Sequence, residues 1–191
     1  MPFELGAFVR ECGDALASEH PQKNVREAVA RAVSDKRAVT QALGEPSRAA
    51  VMRLHESAEL TILHVVWAPK MTFLPHDHTM WAVIGVYAGR EDNIFWKRTA
   101  DGSARVEAAG AKSLSDRDAV ILGPDIIHSV TNPIPRLTGA LHVYGGDFFN
   151  AQRREWDPET LVARAYDANR LARELEAENK RWSLGAVDAL H

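Results

Sequence analysis

Between Phe3 and about His20 the apolar residues Leu5, Phe8, Val9, Cys12 and Leu16 recur at steps of three and four, which predicts an amphipathic helix with Pro21 as its stop. A second helix is predicted from about Asn24 to Leu43, where Val25, Val29, Ala32, Val33 and Val39 repeat with similar spacing and Gly44 and Pro46 supply the end signal. After Ser57 the pattern changes to short β-branched or aromatic runs at 60–67, 81–87, 119–122 and 138–144, most with Gly, Pro, Asp or Asn close by. With turns at 68–70, 100–102 and 132–133, these strands predict an all-β barrel or sandwich rather than βαβ units. From Asp157 the pattern returns to helix, with Pro158 in a first-turn position and Leu161, Leu171 and Leu175 as apolar anchors. Arg170 with Glu174 and Glu176 with Lys180, each four apart, predict a solvated charged face.

At 191 residues the chain suits one domain. The expected division is a helical N-terminal extension over 1–45, a β-barrel core over 58–150 and a C-terminal helical segment over 157–183. A hydrophobic fraction of 46% and a charged fraction of 26% fit an ordinary globular chain. The net charge of -3, with Lys and Arg dispersed, offers no field for nucleic acid. No apolar stretch reaches a membrane span and the first residues lack a leader pattern, so the cytoplasm is the expected location. Cys12, the single cysteine, falls on the apolar side of the first helix and reads as a small buried hydrophobe.

His76 and His78 flank Asp77, and two histidines one residue apart on a strand face the same way, so both imidazoles can reach one ion while Asp77 points to the opposite side as a surface or turn residue. His128 follows the 119–122 run and precedes Asn132 by four residues. These segments resemble the two signatures of the cupins: His76-x-His78 with Gly89 downstream resembles the first, and His128 with Asn132 the second. Gly123 and Asp125 stand where cupins usually have Pro and Gly. The Glu that cupins carry four or five residues beyond the second His is replaced by Ala82 or Val83, neither of which can ligate a metal. Three neutral histidines are the pattern of the cysteine dioxygenase branch, in which a Ser-x-His-x-Tyr string follows the third ligand; here Ala140, His142 and Tyr144 occupy it. The chain is most similar to bacterial predicted metal-dependent enzymes of the double-stranded β-helix superfamily related to cysteine dioxygenase. His76-Asp77-His78, the 81–87 run, Gly89-Arg90-Glu91-Asp92-Asn93 and 142–149 carry the likeness, which covers about Leu60 to Pro158.

The resemblance implies a mainly β cupin double-stranded β-helix, a jelly-roll barrel with N-terminal helices and a C-terminal helix. It also implies a metal held by His76, His78 and His128. Three imidazoles leave a divalent charge uncompensated and coordination positions open, which favours anionic ligands. With Fe(2+), a thiolate and dioxygen can be brought together, so the expected activity is that of a mononuclear non-haem iron dioxygenase converting a small thiol to its sulfinate. Zn, Ni and Mn are alternative metals. A zinc-type hydrolase or lyase and a non-catalytic cupin that binds a small ligand are the alternative readings. His142 and Tyr144 share a strand face, and a hydrogen-bonded pair would present the phenol to the metal pocket. Such a pair can equally do no more than satisfy its own polar groups. Arg48 and Arg53 are the candidate anchors for a substrate carboxylate, Arg90 is a candidate without a motif, and Trp81 is a candidate pocket wall. His64 reads as a buried or rim histidine, and His20, His55 and His191 have no motif around them. A homodimer is expected from the exposed strand edges of such barrels.

Overall fold

The computed structural model describes residues 3–188, so His191 and the outermost positions of the expected 1–191 domain lie outside the described residues. Three helices open the chain: α1 (Leu5–Leu16), α2 (Pro21–Val33) and α3 (Lys36–Leu43). The Glu4 carboxylate caps α1, accepting from the backbone N–H of Gly6 at 2.8 Å and of Ala7 at 2.7 Å. Pro21 does more than stop a helix, since as the first residue of α2 it loses no hydrogen bond and brings a preset φ. The single helix expected over 24–43 is two, because the Asp35 carboxylate accepts from Ala38 N–H at 3.0 Å and caps a new start.

Eleven strands follow: β1 (Ala50–Glu56), β2 (Thr61–Trp67), β3 (Thr72–Asp77), β4 (Ala82–Ala88), β5 (Arg90–Arg98), β6 (Val106–Ser115), β7 (Ala119–Leu122), β8 (Ile127–Thr131), β9 (Thr138–Tyr144), β10 (Arg154–Trp156) and β11 (Ala163–Ala165). They form two antiparallel sheets, one of order β1-β2-β9-β4-β7 and one of order β11-β10-β3-β8-β5-β6. From β2 to β9 the chain crosses repeatedly between the sheets, and the outcome is β2-β9-β4-β7 facing β3-β8-β5-β6, the arrangement of a jelly roll. Helix α4 (Arg170–Asp188) ends the described chain.

Helix was expected from Asp157 onward, but residues 157–169 hold a turn and β11. The Asp157 carboxylate accepts from the N–H groups of Glu159 and Thr160, a local turn that competes with helix and leaves the chain aimed back along β10. Arg170, expected to pair with Glu174, donates instead to the buried Glu155 at 2.9 Å. The Glu176–Lys180 pair is long, at 4.0 Å, and exposed.

The two faces of the first sheet bury different things. Val83, Tyr87, Leu141, Val143 and Ile62 face α1 and α2 and close over Phe8, Cys12, Val25 and Val29. A Cβ on Gly85 would lie 2.3 Å from a Val29 methyl, so this glycine lets α2 approach the strand. Cys12 is fully buried there, and burial pushes its thiol up to about 12. On the opposite face Leu63, Val65, Trp67, Ile84 and Tyr144 pack between the sheets with Phe73, Leu114 and Val130.

Candidate metal centre

His76 stands near the end of β3 and His78 one residue beyond it, so the two-residue period carries both imidazoles to the interior. In the antiparallel pairing of β3 with β8, His128 is the direct partner of His76. The register shifts between Phe73 and His76, a bulge of the kind that re-aims side chains. All three histidines are buried, and their ligand atoms lie within 4.8 Å of one another. His78 Nε2 is 3.2 Å from His76 Nε2 and 3.3 Å from His128 Nε2.

The outer ring nitrogens show how these imidazoles are held. His76 Nδ1 meets the Leu74 carbonyl at 3.0 Å and His128 Nδ1 meets Asn93 Oδ1 at 2.7 Å. Each contact takes the proton on Nδ1 and turns the Nε2 lone pair inward, as a metal-ligating histidine requires. Burial, ahead of the charges around it, lowers His76 to about 4, and burial with mutual repulsion holds His78 and His128 well below the usual range. Three neutral imidazoles with converging lone pairs suit one divalent ion. Ala82 faces inward and Val83 faces the helices, and among the described residues the ligand group contains no carboxylate.

Behind the histidines lies a buried carboxylate that the sequence reading did not single out. Glu91 accepts from Trp67 Nε1 at 2.8 Å and from Asn93 Nδ2 at 3.1 Å, so Asn93 bridges Glu91 and His128. Its second oxygen also faces His142 Nε2 at 3.5 Å, too long for a good hydrogen bond. Burial alone would raise the Glu91 carboxyl; His142, Trp67 and Asn93 outweigh it and hold it below its ordinary range. The other ring nitrogen of His142, Nδ1, lies 3.0 Å from the Tyr144 hydroxyl. The Tyr144 ring stands edge-on to His78, with centroids 5.0 Å apart, and burial raises its phenol above the ordinary range. Glu91 therefore stands behind His142.

The triad forms one wall of a cavity of about 410 Å³ that also reaches His142, Tyr144, Phe148, Arg153, Tyr166 and the inner face of α4. Arg48 and Arg53 lie at its rim, 61% and 58% exposed, each already paired, with Glu176 and Glu56 at 2.6 Å. Arg90 is turned away to Asp92 and Ser113. Trp81 is not a wall of this cavity: positions 81, 83, 85 and 87 face the helices while 82, 84 and 86 face inward, and its ring covers Gly145 on the helix side. Asp77 is buried rather than at the surface, because β10 covers that side and Arg154 donates to it through its backbone N–H at 2.7 Å and its guanidinium at 3.1 Å. Asn132 acts structurally, its side-chain amide donating to the carbonyls of Ala68 and Arg136. His64 is buried on the helix side, bonded to the Tyr87 hydroxyl at 2.8 Å.

The residue most at odds with its sequence context is Arg153. It is 8% exposed, its Cζ lies 3.8 Å from the Phe148 ring centroid and 3.9 Å from that of Tyr166, and Nε and Nη1 have no hydrogen-bond partner. Nothing periodic marks it, since an arginine beside Arg154 in a connection reads as solvated.

No family model matches the chain. The fold is a double-stranded β-helix, a jelly roll of two antiparallel sheets. Its strand order decides this; among solved structures with partial likeness are the following three. One is an uncharacterised conserved protein with a double-stranded β-helix domain from Klebsiella pneumoniae, 15% identical over 59% of this chain and 88% of that one, at a TM-score of 0.44. A cupin superfamily protein from Desulfitobacterium hafniense is 13% identical over 54% and 82%, at 0.42. A cupin 2 conserved barrel domain protein from Salinispora arenicola is 21% identical over 51% and 75%, at 0.40. Within this barrel the three-histidine group is positioned to hold a metal ion.

Proposed function

We propose that this protein is a mononuclear non-haem iron dioxygenase acting on a small anionic thiol. The observation that carries the reading is the combination of a carboxylate-free histidine triad with the Tyr144 hydroxyl, backed by His142, at its side. Iron(II) would be held by His76, His78 and His128 and would supply a redox-active centre through which the thiol sulfur, oxidised by four electrons to the sulfinate, reduces dioxygen. The chain's own residues supply the rest. Tyr144 stays a neutral phenol, because burial opposes its ionisation, and offers its hydroxyl to orient a bound group. His142 holds that hydroxyl through Nδ1, with the ionised Glu91 opposite its Nε2. Asn93 couples the same carboxylate to His128, so the triad and the phenol share one buried anion. Apolar side chains on the cavity wall, among them Leu63, Val65, Phe73 and Val130, exclude water.

The test is oxygen consumption by iron-loaded protein offered cysteine, 3-mercaptopropionate and longer mercapto acids, with the product weighed by mass spectrometry. The expected result is uptake that needs the thiol and a product heavier by two oxygen atoms. Absence of thiol-dependent uptake, with zinc as the metal found in protein purified without supplementation, would replace this reading with hydrolytic or lyase chemistry.

A further inference from the structure

We propose that Arg153 receives the acid group of the ligand, and that this ligand is a monocarboxylate with an apolar body larger than that of cysteine. The inference rests on the cavity beside the triad being the substrate pocket, and it adds the recognition point and the class of molecule recognised.

A guanidinium cannot shed its charge, and burying one without a partner is costly, so a buried and unpaired arginine marks a place where an anion is expected. Arg153 is such a residue: nine-tenths buried, with Nε and Nη1 free of protein partners. Phe148 and Tyr166 cover its two faces, so a partner must approach in the plane of the guanidinium, as a carboxylate does. The same rings connect it to the metal site, since Phe148 lies 6.0 Å from His78 and Tyr166 6.3 Å from His76 between centroids. A molecule anchored at Arg153 therefore has its other end directed to the triad.

The remaining charges do not compete for this role. Arg48 and Arg53 are already paired, and Glu176, the one acidic residue among the described lining residues, is taken by Arg48. No free carboxylate is left to receive an ammonium, and one guanidinium balances one negative charge. The walls include Leu63, Val65, Phe73, Val130, Leu171 and Leu175, which suit a hydrocarbon body. At roughly 30 Å³ for each water-sized volume, the cavity of about 410 Å³ has room for about fourteen of them, beyond the needs of a three-carbon thiol.

Calorimetric titration of the metal-containing protein with hexanoate and with hexanamide tests this without turnover. Hexanoate is expected to bind about 10- to 100-fold more tightly than the neutral amide. Arg153→Met should abolish that preference, and Arg153→Lys, which keeps the charge without the planar fork, should restore part of it. Equal affinity for the two probes in the unaltered protein would overturn the proposal whatever the variants do. A preference that survives in Arg153→Met would also overturn it, because the acid would then be bound elsewhere, at the metal for example. The oxygenase reading fails separately: a protein that oxidises no thiol can still prefer hexanoate through Arg153, and one that oxidises thiols can still be indifferent to Arg153.

Discussion

The first sheet carries a histidine–tyrosine pair on each of its faces. On the helix side His64 bonds to the Tyr87 hydroxyl at 2.8 Å, and on the cavity side His142 lies 3.0 Å from that of Tyr144. The bond lengths are nearly equal and both pairs are buried. Their surroundings differ. His64 and Tyr87 lie on the face that the helices cover, and the second nitrogen of His64 has no partner. His142 has the ionised Glu91 behind it, while Tyr144 has His78 and open volume in front. A buried polar pair is thus not a site by itself; a compensating charge and a space for a reactant distinguish the two.

The difference can be broken at several points. The largest effect is expected from the metal-holding residues: replacing His78 or His128 by Ala should weaken metal binding by more than about 100-fold, beyond what loss of a supporting contact such as Asn93→Ala produces. His64→Gln should leave the metal content of purified protein unchanged, as elemental analysis would show. Full metal content in a triad variant would remove the basis of the site. Next, Tyr144→Phe should lower thiol-dependent oxygen uptake by about 100-fold, the scale of a misplaced reacting group. Tyr87→Phe should leave uptake intact and cost about 1 kcal/mol of stability, read as a small drop in melting temperature.

A third effect is acid sensitivity. Burial lowers His64 from 6.5 to about 4, so between those values the unfolded chain binds a proton that the folded chain refuses. Stability must then fall as pH drops from 6.5 toward about 4, and His76, lowered to about 4, adds to the same slope in metal-free protein. Urea melts at pH 7 and pH 5 should show the loss, and His64→Gln should reduce it; an unchanged slope would mean that His64 is not held neutral. The smallest effect belongs to the rim. Arg48→Ala and Arg53→Ala break exposed ion pairs worth about 0–1 kcal/mol, and KM should move less than about threefold.

Much of this was legible in the chain because it depends on period two. Alternation placed His76 with His78 and His142 with Tyr144, and the structure shows both pairs projecting inward. The same rule puts Trp81 on the face of Val83, which the helices cover, so closeness to the histidines along the chain did not bring it to the cavity. Asp77 does point away from His76, but pointing away from one core did not mean solvent, since β10 lies there. Pro158 fits a helix start and a turn equally well, and Asp157 decided for the turn by bonding two residues ahead. The strand β1, outside the expected 58–150 core, has no clean alternation to reveal it. Arg153 was out of reach for a different reason: its burial is made by Phe148 and Tyr166, which come together only after β10 and β11 have folded back.

The side chain of Asn179 on α4 meets the backbone of Ala49, accepting from its N–H at 2.8 Å and donating to its carbonyl at 2.9 Å. That is the pair of bonds a neighbouring strand would make, supplied here by one amide just ahead of the outermost strand of the first sheet. A foreign segment seeking to extend this sheet past the start of β1 finds those two groups already satisfied by α4.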